Sequence, residues 1–295
     1  MRKIILLMLG IWSTIVAGSA SVKALEPALR KIIDEYDATV GVAFIADCGD
    51  TVTVNNDARY PLMSVMKLHQ AVYVAHCLRQ GGRGMEVTVE VEKGDLPAGT
   101  YSPLRDKFPE GGVTLTVGQL LEYTLQLSDN NACDLLFKRF GGPAEVDACI
   151  RALSIGDFAI AATEADMHRD PQLCHANYST PLAAARLIDR LFRTDTVGNA
   201  EMKFIASTLA GCHTGLQRIP CGVGDSLAVV AHKTGTSDRD ARGRWTAIND
   251  VAHVVLADGR SYSLAVFVAD SGESMEKTEE IIARISRAVF NCFVF

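Results

Sequence analysis

The chain has 295 residues, of which 48% are hydrophobic and 22% charged, so it is long enough to bury an ordinary globular core. Its formal net charge of -6 and its pI near 5.7, with no basic block beyond the first few residues, argue against binding of nucleic acid or of an anionic membrane. A small-molecule partner is therefore expected.

The N-terminus has the pattern of a signal peptide. Two basic residues precede an apolar run from Ile4 to Val16, and small residues follow up to Ala20. The run is shorter than the roughly 20 residues that span a bilayer. We therefore predict that residues 1–24 are removed by cleavage after Ala20 or Ala24, and that the mature chain is secreted to the periplasm without a stable membrane anchor. An uncleaved anchor helix is the alternative.

Apolar spacing predicts the elements that follow. A helix is expected from Leu25 to Tyr36, then strands at Thr39–Ala46 and Thr51–Val54. The middle of the chain shows helical patterns at Val65–Arg79, Val117–Leu127, Asn131–Phe140, Ala144–Leu153, Pro181–Phe192 and Ala200–Leu209. Strands return at Leu227–His232, Trp245–Leu256 and Ser261–Ala269, and a closing helix covers Met275–Phe290.

Strand and helix at both ends of the chain enclose a helical middle. This order predicts an α/β fold of the α+β sandwich type, with an antiparallel sheet flanked by terminal helices and an inserted all-helical lobe. We expect residues 25–62 and 210–295 to form the sheet lobe and residues 63–209 the helical lobe. The cleft between two lobes is the natural place for a site.

Ser64 and Lys67 form the first candidate catalytic pair. A serine hydroxyl is a poor nucleophile and needs a base within hydrogen-bond reach. In Ser64-Val65-Met66-Lys67 the amine shares a helix face with the hydroxyl, and burial favours the neutral form of an amine, which can accept a proton. The same spacing recurs at Ser274–Lys277, where we predict only a helix start with an exposed lysine.

Two further motifs follow the first copy but not the second. Ser128-Asp129-Asn130 lies between two helices, where each residue is also a good N-cap. Lys233-Thr234-Gly235-Thr236 lies at the end of a strand rich in small and β-branched residues. With the three motifs in this order, the chain resembles class A serine β-lactamases from about Leu25 to its C-terminus.

The resemblance extends to a base for the second half of the reaction. Glu164 lies in a polar loop from about Ala161 to Ser179, and long loops inside compact domains are usually functional. It falls where the family keeps its deacylating base. The resemblance implies that Ser64 attacks the lactam carbonyl and that water activated by Glu164 releases the product. Whether Lys67 or Glu164 takes the first proton stays open.

The resemblance also assigns roles around the nucleophile. Ser128 would relay a proton to the departing lactam nitrogen. Asn130 would bind the side-chain amide of the substrate and help to orient Lys67. Tyr101 in Tyr101-Ser102-Pro103 resembles the aromatic wall of the family's site.

The third motif is expected to bind the substrate carboxylate through Lys233 and Thr234. Gly235 would let a substrate approach the backbone closely. The backbone N–H groups of Ser64 and Thr236 would form the oxyanion hole, in which each donor is worth about 3 to 4 kcal/mol in the transition state.

Within the family, the sequence looks closest to the extended-spectrum cephalosporinases called PER and CfxA. The commonest family pattern has an Arg two residues before the loop Glu and an Asn four residues after it, whereas this chain has Ala162 and His168. The salt bridge that usually closes the loop is therefore absent. His168 would hold the hydrolytic water with an imidazole, whose role depends on its tautomer.

An arginine that reaches the substrate carboxylate is common in the family. By resemblance to the subgroup, Arg218 is the better candidate, and Arg242 and Arg244 are alternatives. Met63 stands where one carbapenem-hydrolysing subgroup has a cysteine, which reduces the expectation of carbapenem hydrolysis.

No cofactor is expected, and β-lactams are the expected partners of a monomeric chain. The eight cysteines leave their pairing open after export, and a zinc site at His168, Cys174 and His175 is a weak alternative because scattered loop residues of this kind usually bind no metal. Two other functions share the three motifs. A penicillin-binding D,D-peptidase lacks a residue like Glu164, and a β-lactam sensor domain needs a retained transmembrane segment.

Overall fold

The computed structural model describes residues 24–193 and 200–294. Most of the predicted signal peptide, residues 1–23, lies outside the described residues. Among the residues described, no helix is long and apolar enough to cross a membrane.

The strands and the helices are numbered separately, each in chain order. The strands are β1 (Thr39–Ala46), β2 (Thr51–Val54), β3 (Tyr60–Pro61), β4 (Thr88–Glu92), β5 (Gly111–Thr116), β6 (Phe158–Ala159), β7 (Tyr178–Ser179), β8 (Val229–Thr236), β9 (Trp245–Val255) and β10 (Ser261–Ser271). The helices are α1 (24–33), α2 (Met66–Gln80), α3 (Pro103–Lys107), α4 (Val117–Gln126), α5 (Asn130–Phe140), α6 (Pro143–Ala152), α7 (Glu164–Arg169), α8 (Pro181–Phe192), α9 (Ala200–Ala210), α10 (Ile219–Val223) and α11 (Met275–Val294).

The two ends of the chain build a five-stranded antiparallel sheet in the order β2-β1-β10-β9-β8. Alternate side chains of a strand point to opposite faces. In β1, Val42 and Phe44 pack into an apolar cluster with α1 and α11, whereas Ala43 and Ile45 join a second cluster formed with the helices of the middle of the chain. The sheet is therefore covered by helices on both faces, as the fold class predicts.

The strand β8 decides where the site forms. It is an edge strand of the sheet, so one of its sides has no strand partner. The short turn Met63–Val65 packs against β8 and also against β9. The lobe boundaries predicted above stay a prediction.

Most elements agree with the sequence-based expectation, and β1, β2 and α8 have the predicted bounds. The prediction of a strand at Leu227–His232 was wrong at both ends. Leu227 is almost fully exposed, and β8 runs on through Lys233-Thr234-Gly235, whose buried polar residues hide the strand signal. The prediction also missed the β4–β5 pair, although β4 alternates between exposed and buried residues. It missed the small sheet β3-β7-β6 because strands of two residues have no readable period.

Candidate active site

The predicted nucleophile lies at the entrance to α2. Ser64 is part of the turn Met63–Val65, and its hydroxyl does not cap the helix, since no side-chain cap hydrogen bond is formed there. Met63 has a φ of 50°, a left-handed conformation that is costly for a residue with a side chain and is often found at functional sites. The Ser64 hydroxyl is thus presented on a strained turn, with its oxygen available for chemistry.

Lys67 connects all the groups that the motifs predict for acyl transfer. Its side chain is fully buried, and Nζ donates to Ser64 Oγ at 3.0 Å. The same amine donates to the Ser128 carbonyl at 2.7 Å and to Asn130 Oδ1 at 2.6 Å. It also lies 2.9 Å from Glu164 Oε1. A buried amine therefore stands between the nucleophile and the carboxylate of the loop.

The second motif contacts Lys67 and also fixes the segment at the rim of the cleft. Asp129 is the N-cap of α5 and accepts hydrogen bonds from Ala132 N at 2.9 Å and from Leu104 N at 2.6 Å. The backbone N–H of Asn130 donates to the Tyr101 carbonyl at 3.1 Å. The motif therefore serves both as a helix cap and as part of the site. The hydrogen bonds of Asp129 also fix the segment that carries the exposed Tyr101.

Ser128 lies between two amines. Lys233 Nζ donates to Ser128 Oγ at 3.1 Å, and Lys67 Nζ is 3.5 Å from the same oxygen. Ser128 has a φ of 61°, a second strained residue at this site. Burial lowers the pKa of Lys233 to about 8, so this lysine still carries its proton at neutral pH. A hydroxyl held in this way can pass a proton to a leaving group.

The close approach of β8 to the nucleophile depends on Gly235. A Cβ atom there would lie 2.5 Å from the Leu62 carbonyl oxygen, which differs from the expectation that the glycine makes room for a substrate. Ser237 N–H donates to β9, and N–H directions alternate along a strand, so the N–H of Thr236 points to the side of β8 that has no strand partner. This direction leaves the Thr236 N–H free for the role that the resemblance assigns to it.

Glu164 is held by the N-terminus of α7. The Thr163 side chain caps this helix, and the backbone N–H groups of Glu164 and Ala165 donate to the Asp134 carboxylate at 2.9 and 2.8 Å. Glu164 Oε1 accepts no hydrogen bond from any described residue, although Lys67 Nζ is near it. This oxygen is buried, and the amine of Lys67 is the charged group beside it.

Sequence reasoning missed Asp134. It lies four residues after Asn130 and hence on the same face of α5, which is the signal that would have found it. Burial raises its pKa, and the charge of Glu164 raises it further, to about 7. Burial of the Asp134 carboxylate therefore costs solvation free energy, and the carboxylate in turn fixes the position of the loop.

Asn177 was also missed, and it closes the loop in place of the absent salt bridge. Its Oδ1 accepts from Ala161 N at 2.7 Å and from Ala162 N at 2.9 Å, and its Nδ2 donates to the Ala162 carbonyl at 2.9 Å. The side chain is fully buried. Nothing in the pattern around Asn177 distinguishes it from other loop asparagines.

His168 lies on the exposed side of α7, next to Gly99. It lines a cavity of about 740 Å³ that separates the Glu164 loop from the end of β8 and the start of β9. Other residues around this cavity are Met63, Met167, Cys174, His175, Ser237, Arg239 and Thr246. His168 is therefore placed to meet water or a substrate side chain in this cavity.

The zinc alternative receives no support from the structure. His168, Cys174 and His175 all line the cavity, but within residues 24–193 and 200–294 there is no cluster of three or more His, Cys, Asp or Glu side chains that could hold a metal ion. All eight cysteines lie in these ranges and are free thiols.

The three candidate arginines differ in their access to the site. Arg218 is buried, with Nε 3.1 Å from Glu279 Oε1 and Nη2 donating to Thr236 Oγ1 at 2.9 Å. Arg242 and Arg244 both pair with Asp270 near the surface. Of the three, Arg218 therefore makes the contact with the third motif, through the hydroxyl of Thr236.

Comparison with known proteins gives consistent matches over almost the whole chain. Residues 24–293 match the model of the "Beta-lactamase enzyme family". A β-lactamase from Bacteroides uniformis is 39% identical over 90% of both chains, and the extended-spectrum β-lactamase PER-1 from Pseudomonas aeruginosa is 34% identical over 92% of this chain and 88% of its own.

Solved structures agree with these sequence matches. The TLA-3 extended-spectrum β-lactamase superposes with a TM-score of 0.90 at 32% identity, covering 93% of this chain and 100% of its own. A class A β-lactamase from Bacteroides cellulosilyticus DSM 14838 gives a TM-score of 0.88 at 36% identity, covering 92% and 98%. The architecture described above is thus the one found in these proteins.

Proposed function

The chain belongs to the class A β-lactamase family, and we propose that it opens the β-lactam ring through an acyl-enzyme on Ser64 that water activated by Glu164 then hydrolyses. Hydrolysis of β-lactams follows from the family. The assignment of the steps to residues rests on one observation above all, which is that the buried amine of Lys67 lies within 3.0 Å of both Ser64 Oγ and Glu164 Oε1.

In the first step Ser64 Oγ attacks the lactam carbonyl carbon. Its proton leaves along the contact to Lys67, either to the amine itself or through it to Glu164. The carbonyl oxygen gains negative charge and accepts hydrogen bonds from the N–H groups of Ser64 and Thr236. Each preorganised donor of this kind is worth about 3 to 4 kcal/mol in the transition state.

Ring opening then breaks the bond between the carbonyl carbon and the lactam nitrogen. The nitrogen needs a proton, and Ser128 Oγ supplies it, since this hydroxyl can be reprotonated from Lys233 or Lys67 on either side. The product of this step is an ester of Ser64 with the opened ring.

Deacylation depends on Glu164. Its Oε1 accepts no hydrogen bond from the described residues and lies 2.9 Å from the amine that also contacts Ser64. A water bound there would lose a proton to the carboxylate as it attacks the ester carbonyl. Without such a base the acyl-enzyme would persist, as expected of a penicillin-binding protein.

Substrate recognition uses the groups around these atoms. Lys233 and Thr234 bind the carboxylate of the substrate. Arg218 acts on this part of the site indirectly, through the hydrogen bond that it donates to Thr236 Oγ1. Asn130 binds the side-chain amide with the N–H that it does not use for Thr100. Tyr101 forms the outer wall of the cleft.

We further propose that the substrates include extended-spectrum cephalosporins. The cavity of about 740 Å³ beside His168 gives room for a bulky acylamino side chain. The relatives PER-1 and TLA-3 are extended-spectrum β-lactamases by name. The chain would act as a periplasmic monomer after removal of the signal peptide, without an anchor or a cofactor. No observation favours the D,D-peptidase or the sensor alternative.

The test is hydrolysis of a chromogenic cephalosporin by the purified mature chain, with Ser64→Ala and Glu164→Gln beside it. The unmodified chain should turn over many substrates per site, and Ser64→Ala none. Glu164→Gln should acylate and then accumulate a covalent adduct visible by mass spectrometry, because a general base contributes about 10² to 10⁴ in rate. Rapid turnover of the adduct in Glu164→Gln would remove Glu164 from its role.

A further inference from the structure

A buried set of Cys, His and Asp side chains lies behind the strand that binds the substrate carboxylate. His232 Nδ1 is 2.9 Å from Asp250 Oδ1, and the imidazole interacts electrostatically with the thiol of Cys212. All three residues are buried. None of them has a part in the mechanism proposed above, so their arrangement calls for another explanation.

Two threonines connect this set to the site. Cys212 Sγ lies 3.4 Å from Thr214 Oγ1, and Thr214 Oγ1 lies 2.6 Å from Thr234 Oγ1. Thr234 is the proposed hydrogen-bond donor to the substrate carboxylate. A hydroxyl group has a single hydrogen, so each threonine in this chain can donate in one direction only.

We propose that Cys212 is a positioning residue, which sets the direction of the hydrogen bonds through Thr214 so that Thr234 donates to the substrate carboxylate only while Cys212 keeps its proton. This inference rests on the proposed role of Thr234. With a thiol, Cys212 donates to Thr214, Thr214 donates to Thr234, and the hydrogen of Thr234 is left for the carboxylate. With a thiolate, Thr214 donates back to the sulfur and Thr234 donates to Thr214. The Thr234 hydroxyl then presents only the lone pairs of its oxygen to the substrate carboxylate.

The electrostatics of the set allow this change within the working range of pH. Burial raises the pKa of Cys212, but the hydrogen bond and the charge of His232, together with Lys233, outweigh it and lower the pKa to about 7. Burial lowers the pKa of His232, and Asp250 raises it to about 10, so the imidazole stays protonated while the thiol titrates.

The charged groups that face the thiol come from two strands. His232 and Lys233 lie on β8, and Asp250 lies on β9 and acts through His232. Lys67 on α2 and Glu164 on α7 act on Lys233 in turn. Lys233 has a pKa of about 8 of its own, so any test must separate its titration from that of Cys212.

Comparison with Cys212→Ser makes this separation. A serine hydroxyl keeps its proton and remains a donor at every pH of interest, whereas Lys233 is present in both proteins. We would measure kcat and KM for a cephalosporin carboxylate between about pH 6 and about pH 8. Cys149→Ser, on the remote helix α6, is the matched control for the loss of a thiol.

The expected result is a change in one ratio. The KM of the unmodified chain divided by that of Cys212→Ser should be near unity at low pH and rise about tenfold across the titration, the loss of one hydrogen bond to a charged group. The ratio of kcat values should stay constant. The methyl ester of the same cephalosporin should show no such rise, and Cys149→Ser should follow the unmodified chain.

A KM ratio that does not change with pH would overturn the inference while leaving the proposed function intact. Absence of turnover in the unmodified chain would instead contradict the proposed function. Thr214→Val provides a second route should Cys212→Ser fail to fold, since it removes the link between sulfur and Thr234. It should abolish the rise in KM assigned to Cys212, and a rise that persists in Thr214→Val would refute transmission through the hydroxyls.

Discussion

Two copies of Ser-x-x-Lys begin two helices of this chain, and they differ in everything except spacing. In the second copy, Ser274 Oγ accepts from Lys277 N at 3.2 Å and caps α11, and the Lys277 side chain is 62% exposed beside Glu273. In the first copy the serine caps nothing and the lysine is fully buried. The predicted exposed lysine at Lys277 is confirmed. The comparison teaches that helix spacing alone does not bring the amine to the hydroxyl, because the surroundings determine where each lysine side chain lies.

The largest effect should come from removing the amine of each copy in turn. Lys67→Met deletes the group that contacts Ser64 and Glu164, and a proton acceptor of this kind typically contributes about 10² to 10⁴ in rate. We expect acylation, followed by stopped-flow with a chromogenic cephalosporin, to slow by about 10³-fold. Lys277→Met should acylate at the rate of the unmodified chain. Similar rates for the two variants would refute the distinction drawn between the copies.

The next effect concerns Asp134, which fixes the position of Glu164, the carboxylate beside Lys67. Asp134→Ala leaves the N–H groups of Glu164 and Ala165 without their acceptor, and the loop is no longer fixed to α5. We expect deacylation to slow by about thirtyfold, equivalent to roughly 2 kcal/mol, with less effect on acylation. Single-turnover kinetics separates the two steps. Equal slowing of both steps would show that Asp134 acts on the whole site rather than on Glu164.

Substitution of the serine of each copy by alanine sharpens the comparison further. Ser274→Ala removes a helix cap and should lower the free energy of unfolding by about 1 kcal/mol without changing turnover. Ser64→Ala should abolish turnover and leave the free energy of unfolding unchanged, because Ser64 caps nothing. Urea denaturation of both variants measures the difference. A loss of stability in Ser64→Ala would mean that its hydroxyl also supports the fold.

The smallest effect is expected at His168. It is exposed, and it shares with Met63, the residue before Ser64, the lining of the cavity described above. If it helps to hold the hydrolytic water, His168→Ala should slow deacylation by about threefold, the range of a water-mediated contact. An unchanged deacylation rate would leave His168 as a residue of the cavity wall.

Much of the fold could be predicted because its signals are local. A continuous apolar run gave β1 its bounds, the segment after a turn gave those of β2, and the helical period gave those of α8. The end of β8 could not be predicted, since Lys233 and Thr234 are buried polar residues whose place is stabilised by partners distant in the chain. Asn177 escaped notice for the same reason, because its partners Ala161 and Ala162 lie at the other end of the loop. Asp134 could have been found from its spacing to Asn130.

The sequence by itself determined which residues share a helix face, and so it placed Lys67 within reach of Ser64 and gave Ser274 and Lys277 the same spacing. Only the tertiary structure decided which pair would be buried against Ser128, Asn130 and Glu164. The physical reason is that spacing within a helix is fixed by backbone geometry over a few residues. Burial of a charge, by contrast, depends on groups from separate elements that must all be present to solvate it.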